Sequence, residues 1–256
     1  MIKKVIKPLA LPILRTIYNL KKKLYFQIRM NYIIQTLSTL EIKNISKFNE
    51  KKWHHGYCYF TGYYKNKKVF IKIDTKLKML KNEKVFYELM ENTIKQYLVP
   101  LELFFENKKL QLVIYEFLED FKELDNENLL NNLNLLDDIY IILKSMKEKK
   151  VIHRDVKLNN FMVGDSKIKI IDFTFSNSLD KNSDFKELDI SKKENYLILK
   201  TLGLGLNTKD FQWNDSIAII NILNSISNEY VNEVEKFNRL SLDNSYSLYI
   251  DVKHAD

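Results

Sequence analysis

The chain has 256 residues, 45% of them hydrophobic and 29% charged, enough apolar material for a large packed core, which excludes a disordered chain. A single cysteine, Cys58, excludes an internal disulfide framework and fits a cytosolic setting, and Cys58 with His54, His55, His153 and His254 offers no ligand-spaced zinc cluster. The net charge of +8 is the excess of 41 Lys and Arg over 33 Asp and Glu, and all of that excess lies in the first 40 residues.

Residues 1–40 contain Lys3, Lys4, Lys7, Arg15, Lys21, Lys22, Lys23 and Arg29 and no acidic residue. Leu9, Leu11, Ile13, Leu14, Ile17, Leu20, Leu24, Phe26 and Ile28 are threaded among these cations. No uncharged run approaches the ~20 residues that span a bilayer, and no short apolar core with a small-residue cleavage site marks a signal peptide. Two readings of this basic amphipathic helix stay open. It lies on anionic lipid at the inner face of the cytoplasmic membrane, or it packs on the body with its lysines solvated. Nucleic acid is not an expected partner, because no reading motif accompanies the basic run and the rest of the chain is charge-balanced.

Further along, Tyr57–Tyr64 and Val69–Ile73 read as strands joined by Lys65-Asn66-Lys67-Lys68. Met79–Asn92 reads as a helix offering Leu80, Val85, Phe86 and Leu89 for burial. Leu101–Phe105 and Leu110–Tyr115 form a plausible strand pair. Leu136, Ile139, Tyr140, Leu143 and Met146 fall at helical spacing, and the run Lys147-Glu148-Lys149-Lys150 suits a helix C-terminus. Phe161-Met162-Val163 and Ile168–Ile171 flank Gly164-Asp165, a hairpin with Asn160 at its entrance and Asp172 at its exit. Tyr196–Leu202 and Ser216–Ile226 read as helices.

The most informative stretch is His153-Arg154-Asp155-Val156-Lys157-Leu158-Asn159-Asn160, with Asp172-Phe173 twelve residues beyond. Together these resemble the catalytic loop and metal-binding motif of the protein kinase superfamily. Val69-Phe70-Ile71-Lys72 resembles the strand that carries the phosphate-gripping lysine. The resemblance covers about residues 53–175. It implies an α+β, two-lobed kinase-like fold with a reduced C-terminal helical lobe: residues 41–118 as N-lobe and 119–256 as C-lobe, behind the 1–40 segment. It also implies ATP and Mg2+. In that frame Asp155 receives the acceptor proton, Lys157 meets the γ-phosphate, and Asn160 and Asp172 hold magnesium. Lys72 contacts the α- and β-phosphates. Glu83 and Glu88 are both candidate partners for Lys72. Glu83 is favoured, because pairing at Glu88 leaves too little chain before Leu98-Val99. Tyr115 guards the back of the adenine pocket, and the Glu116 and Leu118 backbone binds adenine.

The sequence also departs from protein kinases. With five glycines in all, no Gly-x-Gly-x-x-Gly precedes Lys72, and Gly56 is the one candidate remnant of the phosphate loop. Thr174 replaces the glycine after Asp172-Phe173. No Ala-Pro-Glu follows, and Phe175–Glu194 is short and polar, which leaves Arg154 without a phospho-residue to bind. Gly203-x-Gly205 reads as a helix end or turn. The reduced form is similar to atypical lipopolysaccharide-core kinases that act on Kdo or heptose, which implies a glycan or glycolipid acceptor at the membrane. Lys157 instead resembles Ser/Thr protein kinases. A non-catalytic scaffold is the third expectation.

Overall fold

A computed structural model describes residues 6–164, 167–180, 182–207, 212–227, 230–242 and 248–249, with the backbone alone for 6–15 and 248–249. Lys3, Lys4, Asp165 at the expected hairpin tip and His254 lie outside the described residues. Helix α1 (Ile6–Thr39) leads into β1 (Lys43–Lys47), β2 (Tyr57–Tyr64) and β3 (Lys67–Asp74); α2 (Lys81–Ile94) follows, then β4 (Leu101–Glu106) and β5 (Gln111–Glu116). The strands make one antiparallel sheet in the order β1-β2-β3-β5-β4. Lys65 and Asn66 both take positive φ, 49° and 64°, as in the two-residue turns whose twist suits a hairpin. The loop is therefore shorter than expected, and β3 begins at Lys67 rather than Val69.

The period of two along a strand sends alternate side chains to opposite faces. Cys58 and Phe60 of β2, Val69, Ile71 and Ile73 of β3, and Leu112 and Ile114 of β5 share a core with Phe26, Ile33 and Leu37 of α1. The second half of α1 thus covers the outer face of the sheet. Burying its three large side chains contributes roughly 5–9 kcal/mol before ordering entropy is counted. Tyr57, Val113 and Tyr115 point to the other face and pack with Leu80 and Val99. Lys72 shares that inner face.

Helix α2 begins two residues later than the pattern predicts. Asp74, at the end of β3, accepts hydrogen bonds from the backbone of Lys76, Leu77 and Met79 at 2.8, 2.8 and 2.9 Å. Residues 76–79 are therefore wrapped around a carboxylate and unavailable for helix.

The second lobe comprises β6 (Lys122–Glu123), α3 (Asn126–Asn131), α4 (Leu135–Glu148), β7 (Val151–Ile152), β8 (Phe161–Gly164), β9 (Lys167–Ile170), β10 (Asn177–Ser178), α5 (Lys193–Leu199), β11 (Leu206–Asn207), β12 (Gln212–Trp213), α6 (Asp215–Ile226), α7 (Val231–Ser241) and β13 (Leu248–Tyr249). Its core joins Leu136, Ile139, Leu143 and Met146 of α4 to Ile219, Ile222 and Leu223 of α6 and Phe237 of α7. Phe86 and Met90 of α2 enter the same core and tie the lobes together. Lys150, at φ 56°, ends α4 in the left-handed conformation common at helix C-termini. Helix α5 sits three residues earlier than the expected Tyr196–Leu202, because the chain leaves it to turn at Gly203 toward the catalytic loop. Asn214 caps α6, accepting from Ser216 N at 3.0 Å. This is the two-lobed α+β kinase-like architecture expected from the sequence.

Candidate active site

Strand register places Lys72 on the inner face of β3, and α2 presents Glu83 to it. Lys72 Nζ lies 2.6 Å from Glu83 Oε1, 2.6 Å from Asp172 Oδ1 and 2.6 Å from Thr174 Oγ1. Glu83 also accepts from Tyr115 OH at 2.8 Å, Thr174 Oγ1 at 2.7 Å and Phe173 N at 3.1 Å. Glu88 is exposed and pairs with Lys84 at 3.4 Å, so the structure selects Glu83 as the partner of Lys72. Burial opposes the Lys72 charge, but the Asp172 and Glu83 carboxylates outweigh it and hold the ammonium well above the usual lysine pKa. For Asp172, burial raises the carboxyl pKa and the Lys72 ammonium more than reverses that, leaving it well below the usual range.

The catalytic loop runs from β7 to β8. Its two sides are fixed by Asp215 at the start of α6, whose carboxylate accepts His153 N at 2.6 Å and Arg154 N at 3.0 Å. This holds Arg154 at φ 67°, a conformation that costs a non-glycine residue about 1 kcal/mol or more and persists where its surroundings impose it. The His153 ring packs edge-on to Phe173, whose ring stacks on Phe86 with centroids 3.8 Å apart. That stack links the catalytic loop, the metal loop and α2.

Asp155 Oδ2 accepts from Lys157 Nζ at 2.7 Å and Asn160 Nδ2 at 3.1 Å, while its Oδ1 accepts from Gly203 N at 2.8 Å. Gly203 sits at φ +57°, and a Cβ there would lie 2.6 Å from Arg154 O, so only glycine brings this backbone N–H to the carboxylate. The Asn160 amide also donates to Asp155 O at 2.8 Å. That orients Oδ1 the other way, toward the cleft that Asn160 lines. Among the described residues no group of three or more His, Cys, Asp or Glu gathers into a metal cage. One amide oxygen and one carboxylate, Asn160 and Asp172, nevertheless fit magnesium, a hard cation that usually takes one or two protein oxygens plus phosphate and water.

Beyond Asp172, itself left-handed at φ 68°, the chain makes one 3-10 turn, Phe173–Phe175. Thr174 is tolerated because the positive φ falls on Asp172, and its hydroxyl bridges Lys72 and Glu83. The segment that follows is bound back onto the body. Arg154 is buried and donates through Nη1 to Glu187 Oε1 and Oε2 at 2.9 and 3.0 Å, and through Nε to Phe175 O. Asn82 of α2 donates to Thr174 O at 3.0 Å, Ser176 O at 3.2 Å and Lys186 O at 2.9 Å, and accepts from Lys186 N at 2.7 Å. Arg154 therefore grips a carboxylate of its own chain.

A cleft of about 590 Å³ separates the lobes, and Lys72, Glu83, Tyr115, Glu116, Leu118, Lys157, Asn160 and Asp172 all line it. Asp155 lies behind Lys157 and Asn160, its hydrogen-bond partners. Phe70, Val99, Leu118, Met162 and Ile170 give the cleft apolar walls suited to a flat base. Glu116 N–H is engaged by Pro100 O at 3.0 Å, so this donor of the expected hinge is already used within the protein.

Gly56 does not face the cleft, contrary to its expected role at the phosphates. Its φ is +92° and a Cβ there would lie 2.5 Å from Lys76 Cβ; its carbonyl accepts from Thr75 N at 3.0 Å. It serves the close passage of two chain segments. The loop between β1 and β2 instead presents Lys51, Lys52 and His54 to the cleft. Partial loss of hydration lowers the His54 pKa below 6.5.

Sequence reasoning missed five contributors: Asn82, Thr174, Glu187, Gly203 in its contact with Asp155, and Asp215. Asn82 carried a signal, since with Glu83 it is a polar residue on the buried Val85–Phe86 side of α2. Asp215 was readable as part of a helix start, though not its target.

With this geometry in place, the chain matches the family model described as protein kinase domain over residues 56–197, more than half its length. The chain belongs to the protein kinase domain family, and the activity of that family is ATP-dependent phosphotransfer, in which kinase domains use ATP and Mg2+. No curated protein matches the chain.

Proposed function

We propose that the protein is an ATP- and magnesium-dependent phosphotransferase acting on a sugar hydroxyl of a cell-surface glycan or glycolipid of the lipopolysaccharide-core type. The observation that carries the acceptor class is the segment after Asp172. It is short, contains no Ala-Pro-Glu, and is spent on contacts to Arg154 and Asn82 rather than on a platform for an extended peptide.

In this reading the acceptor hydroxyl docks at Asp155, which takes its proton as the acceptor oxygen bonds to the γ-phosphorus. The bond from γ-phosphorus to the bridging oxygen breaks, and ADP departs. Lys157, beside Asp155, neutralises charge developing on the transferred group. Lys72, fixed by Glu83, grips the α- and β-phosphates. Lys51 and His54 take over the phosphate contacts that a glycine-rich loop provides through backbone N–H groups. The oxygens of Asn160 and Asp172 would hold magnesium, which would supply neutralisation of phosphate charge.

Lys157 favours a second reading, a Ser/Thr protein kinase, because a lysine two residues after the catalytic aspartate resembles that class. One experiment separates the two. The protein is incubated with γ-labelled ATP and magnesium, against a lipid-and-glycan extract and separately against a protein lysate, with Asp155→Ala as control. Label in the glycan fraction that disappears in the variant is the expected result. Label confined to protein overturns the glycan assignment.

A further inference from the structure

Helix α1 has two apolar sides, and the sheet uses one. Phe26, Ile33 and Leu37 are buried against the sheet. On the opposite side Ile17, Leu20, Leu24 and Ile28 recur at i, i+3, i+7 and i+11, one stripe of a 3.6-residue helix. They are 43, 62, 58 and 69% exposed. Lys21 and Lys23 flank the stripe and are also exposed.

We propose that this stripe seats α1 on an anionic lipid bilayer surface. The charge argues for that occupant over a second copy of the chain. Residues 1–40 hold eight cations and no acid, so two such helices face to face would juxtapose like charges, whereas an anionic headgroup layer complements them. Leucine and isoleucine on one side, framed by lysines, is the pattern of a helix lying in the interface plane. No helix among the described residues is long and apolar enough to cross a membrane, so α1 docks on the surface rather than through it. The inner side of α1 reaches the nucleotide loop. Lys22 Nζ meets Glu50 O and Lys51 O at 3.4 Å, and Phe26 packs edge-on to Trp53 with centroids 5.1 Å apart. The docking face and the grip on the loop that lines the cleft are two sides of one helix.

The test is vesicle co-sedimentation of the full chain, without nucleotide or acceptor, so its outcome is independent of the acceptor assignment. Phosphatidylcholine vesicles are compared with vesicles containing phosphatidylglycerol. Binding at least tenfold tighter to the anionic vesicles is expected, roughly tenfold weaker in Lys21→Ser/Lys23→Ser, and weaker by a similar or larger factor in Leu20→Ser/Leu24→Ser. Because these side chains are exposed, unchanged melting temperatures establish that the variants stay folded. Equal binding to neutral and anionic vesicles, no binding at all, or undiminished binding of the leucine variant overturns the proposal. So does a concentration-dependent dimer that the leucine variant abolishes, which assigns the stripe to a second copy.

Discussion

Lys72 has three oxygens within 2.6 Å, and only one of them, Glu83, was readable as a partner from the sequence. Asp155, Asn160, Asp172 and Lys72 were legible because kinase chemistry ties them to fixed local spacings. Thr174 was not. As a letter it is only a missing glycine; as a side chain it completes the Lys72–Glu83 network. Thr174→Val therefore costs about 1.5–3 kcal/mol in urea unfolding, because its hydroxyl bonds two charged groups, Lys72 and Glu83. Lys72→Met costs more, about 3–5 kcal/mol, because it leaves two carboxylates without their cation. The two histidines at 54 and 55 predict a pH effect. Partial loss of hydration at these surface positions lowers both pKa values, and for His55 the neighbouring His54 adds to this. A pKa depressed by folding contributes stability above the unfolded value of 6.5 and loses it as pH falls through the folded value. Melting temperature should thus decline below about pH 6.5, and less steeply in His54→Gln/His55→Gln. Parallel profiles for the two proteins would refute this.

Individual elements were read well where periodicity dominates and poorly where a distant polar group sets the end. Helix α4 follows its apolar spacing, whereas α2 starts late because of Asp74, and α5 stops early because the chain must return to Asp155. The 1–40 segment stayed ambiguous for a physical reason: it carries both a buried and a free apolar stripe, and one dimension does not separate them. The segment after Asp172 could not be placed at all, since its anchors, Asn82 and Arg154, lie 104 and 33 residues from Lys186 and Glu187. Those anchors make a prediction. Glu187 already supplies the carboxylate that Arg154 needs, so exhaustive phosphatase treatment leaves the phosphotransfer rate unchanged. Glu187→Ala instead destabilises by about 1.5–3 kcal/mol, the range for hydrogen bonds to a charged group, and lowers the rate. A rate that collapses on phosphatase treatment contradicts the pinned segment.

At the scale of the whole molecule, two lobes and the residues between them were legible in the sequence, while the choice of α1 to cover the sheet came only with the structure. Apolar walls, cationic side chains and the Asn160–Asp172 oxygen pair converge on one cleft. Magnesium and ATP together should therefore raise unfolding stability by about 2.7 kcal/mol at a hundred times Kd. Asp172→Asn should remove the magnesium-dependent part of that gain, as read by thermal melting with and without chelator. The most direct test of the account is Asp155→Ala, measured for ATP affinity by calorimetry and for transfer of labelled phosphate to the fraction that accepts it. In the proposed mechanism Asp155 acts on the acceptor proton, and it does not line the nucleotide cleft. The account predicts that ATP affinity changes little while kcat falls by at least roughly a hundredfold, the lower end for loss of a positioned general base. Undiminished transfer in that variant would contradict it.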